Sequence, residues 1–116
     1  MTDHYDALET RTPDQRNADL FARLPDVVRA AMMTPAYGER LKGADPASIT
    51  DRGALAKLPV LRKSDLPALH KAAPPFGGFV PSPAGSFGRL FTSPGPIFEP
   101  EAATADPWHG ARAIFA

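Results

Sequence analysis

The sequence predicts a mostly α-helical chain with one short β-hairpin. Of its 14 prolines, four lie in residues 1–58 and ten in the second half. In the first half, apolar residues recur at the three- and four-residue spacing of a helix face. The 43% hydrophobic content argues against disorder throughout, and 116 residues allow one small unit. We divide it into a helical segment (1–73), a Pro/Gly-rich loop with a hairpin (74–100) and the start of a further, truncated helix (101–116).

A long first helix is predicted from Pro13. Thr12 is a suitable N-cap, Pro13 fits the first helical position, and Gln15 completes a capping box. The apolar stripe that follows consists of Leu20, Phe21, Leu24, Val27, Val28 and Ala31. Because proline removes a backbone hydrogen bond and clashes one turn back, we expect a kink or a break at Pro25.

Three shorter helices are predicted from their capping residues. The caps and spans are Thr34 before 36–42, Thr50 before 51–57, and Ser64 before 65 to about 71. Gly43 is a suitable stop for the first of them because glycine readily adopts a left-handed conformation. His70 lies near the end of the third, where we expect it to be solvated and to interact with the last carbonyls.

Residues 74–100 contain seven prolines and five glycines, which is typical of a loop. They also carry large apolar side chains that something must cover. These are Phe76, Phe79, Val80, Phe87, Leu90, Phe91, Ile97 and Phe98. Strands are predicted at Gly88–Ser93 and Ile97–Glu99, and Pro94-Gly95-Pro96 between them predicts a tight reversal, hence a hairpin.

A last helix is predicted from Pro107, with Asp106 as its cap, through Phe115. No glycine, basic last turn or proline marks its end. We therefore expect the sequence to be a fragment of something longer.

Charge and composition exclude several classes of function. Thirteen basic residues balance thirteen acidic ones, and no basic stripe is present, so we expect no nucleic-acid partner. No stretch approaches 18 apolar residues and no leader-like segment opens the chain, so we expect no membrane partner and a cytoplasmic location. The chain has no cysteine, and His4, His70 and His109 are too widely spaced for a short metal motif. We therefore expect neither a metal site nor a catalytic residue.

Five segments follow one another in a distinctive order: a helical run from Tyr5 to Met33, then Thr34–Leu41, Leu58–Leu66, Phe76–Phe79 and Arg89–Ser93. Together they resemble the N-terminal part of phenylacetate–coenzyme A ligases, members of the adenylate-forming (AMP-binding) acyl-activating superfamily. The most specific element is Leu58–Leu66, where Lys63, Asp65 and Leu66 fall at the family's positions. The resemblance covers nearly all of the chain and implies an N-terminal subregion of the family's larger α/β N-terminal domain.

The resemblance also implies a phosphate loop after Arg89–Ser93. The family's loop, of the form S-S-G-T-T-G-K-P, holds the triphosphate of ATP with backbone N–H groups, small hydroxyls and a lysine. Thr92, Ser93 and Gly95 carry over as nucleotide phosphate-loop residues. Prolines on both sides of Gly95 remove backbone donors, and Glu99 stands about where the family has lysine. The chain either binds nucleotide with weaker help from this loop or has lost or altered the activity.

The function that the resemblance implies is ATP-dependent acyl–coenzyme A ligation. A small-molecule carboxylate, aryl-acetate in the family's namesake, becomes an acyl-adenylate and then a thioester. ATP, Mg²⁺ and coenzyme A are implied for the full-length enzyme. None is expected to be bound by the 116 residues alone, which we expect to be inactive. Two alternatives stay open: a non-catalytic interaction module, and a pseudo-enzyme that retains the ligase scaffold.

Overall fold

The computed structural model describes residues 3–115, and it confirms a mostly helical chain with one hairpin. The helices are α1 (Pro13–Met32), α2 (Pro35–Arg40), α3 (Arg52–Leu55), α4 (Leu66–Ala72) and α5 (Ala111–Phe115), and the strands are β1 (Arg89–Ser93) and β2 (Ile97–Glu101). Single 3₁₀ turns at Pro46–Ser48, Lys63–Asp65 and Ala84–Ser86 lie between them.

Helix α1 begins with the predicted capping box. The Thr12 hydroxyl accepts a hydrogen bond from the Gln15 N–H at 3.2 Å, and the Gln15 side chain accepts one from the Thr12 N–H at 2.9 Å. The sequence predicts a kink or a break at Pro25, and the helix continues through it, so the break does not occur. Leu24 and Val28, one before and three after the proline, both pack in the core. A break would remove one of them from that contact, and this packing offsets the missing backbone bond.

The start and end of α2 follow the sequence signals. The Thr34 hydroxyl accepts from the Tyr37 N–H at 3.4 Å. The helix ends at Arg40, two residues earlier than expected, and Gly43 follows with a φ of +86°. The glycine therefore has the left-handed conformation expected of it, in the turn that leaves α2.

The caps predicted for α3 and α4 are wrong. Asp51 caps α3 instead of Thr50, and its carboxylate accepts from the Ala54 N–H at 2.8 Å. A carboxylate at this position also interacts favourably with the helix dipole. Ser64 lies inside the 3₁₀ turn that precedes α4, so its hydroxyl is not placed as a cap and instead lies 3.4 Å from the Asp65 carboxylate.

The hairpin pairs Arg89 with Glu101 and Ser93 with Ile97. Its second strand runs two residues beyond the predicted end, through Pro100 to Glu101. A proline is tolerated here because each strand of a two-stranded sheet has an unpaired edge.

The core of the helical segment consists of Val28, Leu41 and Ile49. Helix α1 supplies the first, the end of α2 the second, and the turn at Pro46–Ser48 leads into the third. The hairpin packs mainly against α4, where Ile97 is buried. This contact positions the residues predicted for the phosphate loop.

The C-terminal helix starts later than predicted. Helix α5 begins at Ala111, not Pro107, because Asp106 accepts from the N–H groups of Gly110 and Ala111, at 2.8 and 3.1 Å. His109 has a φ of +53°, which is incompatible with a continuous helix from Pro107. Ala116 lies outside the described residues.

The chain exposes more surface than a compact monomer of its size. Its accessible area is 8416 Å², whereas a mass of 12.4 kDa predicts about 6,100 Å². The radius of gyration is 16.7 Å, against about 13 Å for a compact domain of this length. Large apolar side chains on α1, α3 and the hairpin therefore contact solvent.

Candidate functional site

The residues predicted for the phosphate loop lie at the closed end of the hairpin. Side chains alternate along a strand, so Thr92 and Ser93 lie on opposite faces of the sheet. Thr92 is opposite Phe98, and Ser93 is opposite Ile97. The structure thus brings Thr92, Ser93 and Gly95 to one turn, but it does not bring the two hydroxyls to one face.

The hydroxyl of Ser93 has a partner within the hairpin. It donates a hydrogen bond to Oε1 of Glu99 at 3.2 Å. An anionic phosphate at Ser93 would therefore compete with a carboxylate for the same donor and would be repelled by its charge. This part of the turn does not fit a triphosphate.

The backbone of the turn offers little to an anion either. Between Pro94 and Pro96, Gly95 carries the single N–H group. A Cβ added to Gly95 would lie 3.0 Å from Cγ of Pro67 on α4 and 2.9 Å from Cγ1 of Ile97. The glycine therefore permits the close approach of the turn to α4.

A cleft of about 480 Å³ runs between this turn and α4. Gly95 and Pro96 line one side, and Lys71 and Pro67 line the other. Lys71 supplies a positive charge beside the turn, on the helix rather than in the loop where the resemblance places lysine.

His70 links α4 to the hairpin, and the prediction that it is solvated is wrong. Its side chain is buried, and Nδ1 accepts a hydrogen bond from the backbone N–H of Phe98 at 3.3 Å. The two rings lie within 9° of parallel, with centroids 6.2 Å apart. The sequence contains a signal for this: His70 is four residues after Leu66 and therefore on the same face of α4.

A buried carboxylate fixes the open end of the hairpin. Glu101 is 4% exposed and accepts from Nε of Arg89 at 2.5 Å and from the indole N–H of Trp108. Sequence reasoning missed it. The predicted second strand ends at Glu99, two residues before Glu101, whereas the observed register pairs Glu101 with Arg89 and so places the two opposite charges side by side.

The aromatic loop, by which we mean residues 76–87, packs on itself and against α2. Phe76 is buried and packs edge-to-face on Phe87 at 5.6 Å, and Phe79 packs on Tyr37 of α2 at 5.1 Å. The Ala36 N–H also donates to the Gly78 carbonyl at 3.0 Å. The expectation that the apolar groups of residues 74–100 are covered holds for Phe76 and Ile97, which are buried, and not for Leu90 or Phe91, which are exposed.

Three of the five segments that carry the family resemblance meet at one cavity of about 330 Å³. Its walls include Tyr37 from Thr34–Leu41, Leu61 and Leu66 from Leu58–Leu66, and Phe76 and Phe79 from the aromatic loop, together with β2 residues. Segments far apart in sequence are thus packed around a common centre.

Two further properties bear on the chemistry available. No group of three or more histidine, aspartate or glutamate side chains within residues 3–115 is arranged to hold a metal ion. No helix in that part of the chain has the length and apolarity to cross a membrane.

The chain matches no protein-family model, no curated protein and no solved structure.

Proposed function

We propose that this chain is the N-terminal part of an ATP-dependent acyl–coenzyme A ligase of the adenylate-forming superfamily, acting on a small carboxylate such as an aryl-acetate in the cytoplasm. The observation that carries the proposal is the convergence of three of the five resembling segments, Thr34–Leu41, Leu58–Leu66 and Phe76–Phe79, on one cavity beside β2. A shared cavity supports the view that these segments form one structural unit, as the resemblance implies.

In this proposal the chain acts as scaffold for the nucleotide site. The reaction joins the carboxylate to the α-phosphate of ATP with loss of pyrophosphate, and the thiol of coenzyme A then displaces AMP. The turn at Pro94–Pro96 contributes one N–H, and Glu99 places a negative charge beside Ser93. We therefore expect the triphosphate and Mg²⁺ to be held mainly by residues other than those of this turn, because charge stabilisation needs donors and cations.

The first test is to read the coding DNA past codon 116 and to express the full reading frame. We expect some hundreds of further codons with helix–strand alternation, and a product that exchanges pyrophosphate with ATP only when a carboxylate is present. A stop codon directly after codon 116 contradicts the ligase proposal. So does a full-length product that is folded and shows no exchange with any of a panel of aryl and alkyl carboxylates.

The second test uses the 116-residue chain itself. Its melting temperature should not change with ATP and Mg²⁺, since its turn does not fit a triphosphate. A clear rise would show that the chain holds the nucleotide on its own, contrary to the scaffold role. Ser93→Ala would then identify whether the turn is responsible, with Ser86→Ala as a matched control in another loop.

A second candidate function, a non-catalytic interaction module, is favoured by a different observation. The chain exposes about 2,300 Å² more than a compact monomer of its mass. A module that folds alone and binds a partner accounts for this surface without any chemistry. A stop codon after codon 116 together with a well-folded monomer would support this candidate over the ligase.

A further inference from the structure

A continuous apolar groove lies between α1 and α3. Its walls are Leu20, Leu24 and Val27 from α1 and Leu55 from α3, and they enclose about 430 Å³. Leu20, Val27 and Leu55 are 45%, 61% and 42% exposed. A second cavity of about 420 Å³ shares Leu24, Val27 and Leu55 with the first and extends it to Val60. We call this surface the α1–α3 groove.

The rim of the α1–α3 groove is cationic. Arg23 and Arg52 both line it. The guanidinium of Arg52 lies 5.6 Å from the ring centroid of Phe21 and donates to Asn17 at 3.1 Å, which holds it at the edge of the groove. Neither arginine pairs with a carboxylate within residues 3–115, so their charge is available to a partner.

Two of the three carboxylates of α1 are engaged elsewhere, and the third, Asp14, lies in the first turn, before the groove-lining residues. Asp19 pairs with Arg11 at 2.6 Å, and Asp26 pairs with Arg29. A second copy that placed its own groove against this one would therefore oppose arginines to arginines. Like charges across an interface are costly, so the charge pattern favours a partner that carries acidic groups.

The lining of the groove indicates the kind of occupant. On α1 it runs from Leu20 to Val27, about two helical turns, and its floor is apolar. The apolar stripe of a helix lying along α1 fits such a floor. The chain as a whole exposes about 2,300 Å² more than a compact monomer, and the groove is one part of that surface.

We propose that the α1–α3 groove binds an amphipathic helix of another protein, one whose apolar stripe is flanked by aspartate or glutamate. Leucine-sized side chains at the i, i+3, i+4 and i+7 positions enter between Leu20, Val27 and Leu55, and the flanking carboxylates pair with Arg23 and Arg52. The proposed binding site uses none of the hairpin residues, so its test is independent of the test of the ligase proposal.

The test uses synthetic helical peptides of about 18 residues, or five turns. One has a leucine stripe flanked by glutamates, a second has lysine in place of each glutamate, and a third has the glutamates with the leucines dispersed. Calorimetry or fluorescence anisotropy with the 116-residue chain should show binding of the first, with much weaker binding of the other two.

Variants of exposed groove residues test whether the peptide binds in the α1–α3 groove. Val27→Lys should weaken binding of the glutamate peptide about tenfold, and Met33→Lys is the matched control, because Met33 is 80% exposed and lines neither cavity. Arg23→Glu combined with Arg52→Glu should reverse the preference towards the lysine peptide, whereas Arg62→Glu should not. Circular dichroism checks that each variant keeps its helical content.

Three outcomes overturn the proposal. One is equal binding of the glutamate and lysine peptides, and another is glutamate-peptide binding that Val27→Lys leaves unchanged. The third is a concentration-dependent dimer, seen by sedimentation, that Val27→Lys abolishes, since the occupant would then be a second copy. A failure of ATP-dependent exchange in the full-length product has no bearing on any of them.

Discussion

His70 accepts a hydrogen bond from the backbone N–H of Phe98 and lies nearly parallel to its ring. The imidazole is buried between α4 and β2, and it is a connection by which the helical segment holds the hairpin. A neutral imidazole provides one acceptor nitrogen, so this bond requires Nδ1 to be unprotonated.

His70→Ala should therefore destabilise the chain by about 1–3 kcal/mol, because the part-buried Phe98 N–H loses its acceptor. Urea unfolding followed by circular dichroism measures the change. His109→Ala is the control, since His109 is exposed, and its effect should be close to zero. Equal stability of the two variants would show that the His70–Phe98 bond contributes nothing to the fold.

Some of this fold could be predicted from the sequence because its signals are local. The capping box of α1 involves residues three apart, and the turn of the hairpin is set by the residues Pro94 to Pro96. The continuity of α1 through Pro25 could not be predicted from proline alone, because it depends on core packing against Leu41 and Ile49.

The same distinction applies to the candidate site. The sequence placed Thr92, Ser93 and Gly95 at a turn. The hydrogen bond from Ser93 to Glu99 could not be predicted, because it depends on strand register. The burial of His70 depends in turn on which face of α4 meets β2. The α1–α3 groove could not be predicted either. An apolar stripe shows that a helix face is buried against something, and it does not show how much of that face its own chain covers.

Gly95→Ala tests the close approach of the turn to α4. The added Cβ would lie 2.9 Å from Ile97 and 3.0 Å from Pro67, closer than van der Waals contact. The turn must then move away from α4, and we expect the melting temperature to fall by several degrees, about the shift that 1–2 kcal/mol produces in a small domain.

Gly85→Ala is the matched control for this variant. A Cβ at Gly85 meets nothing within 4 Å. Differential scanning fluorimetry should show little change for it, or a slight rise because alanine restricts the unfolded chain. A Gly95→Ala chain as stable as the Gly85→Ala chain would mean that the turn is not held against Pro67.

Glu101→Ala tests the buried carboxylate. Its loss leaves the Trp108 indole N–H and the Arg89 side chain without their acceptor, and we expect a cost of about 2 kcal/mol in the free energy of unfolding. Glu99→Ala is the control, because Glu99 is half-buried and accepts one hydroxyl hydrogen bond. Chemical denaturation of both, with tryptophan fluorescence reporting on Trp108, distinguishes them. A larger loss from Glu99→Ala would contradict this assignment.

The pairing of Asp6 with Arg112 joins the two ends of the described chain and is sensitive to acid. The hydrogen bond from Arg112 lowers the pKa of the Asp6 carboxyl from its ordinary value of 3.8. Tyr5 and Phe115 pack edge-to-face beside this pair, 5.7 Å apart. A carboxyl with a lowered pKa in the folded state stabilises it above the ordinary value, and this contribution is lost as the pH falls through the lowered one.

A titration followed by nuclear magnetic resonance of the Asp6 carboxyl carbon should therefore have its midpoint below 3.8, and the Tyr5 ring resonances should shift over the same pH range. Arg112→Gln should return the midpoint towards 3.8, because the cation that favours the carboxylate is gone. Arg29→Gln removes a cation that pairs with Asp26 instead, so it should leave the Asp6 midpoint in place. An Asp6 midpoint that does not respond to Arg112→Gln would show that α5 does not hold the N-terminal segment in solution.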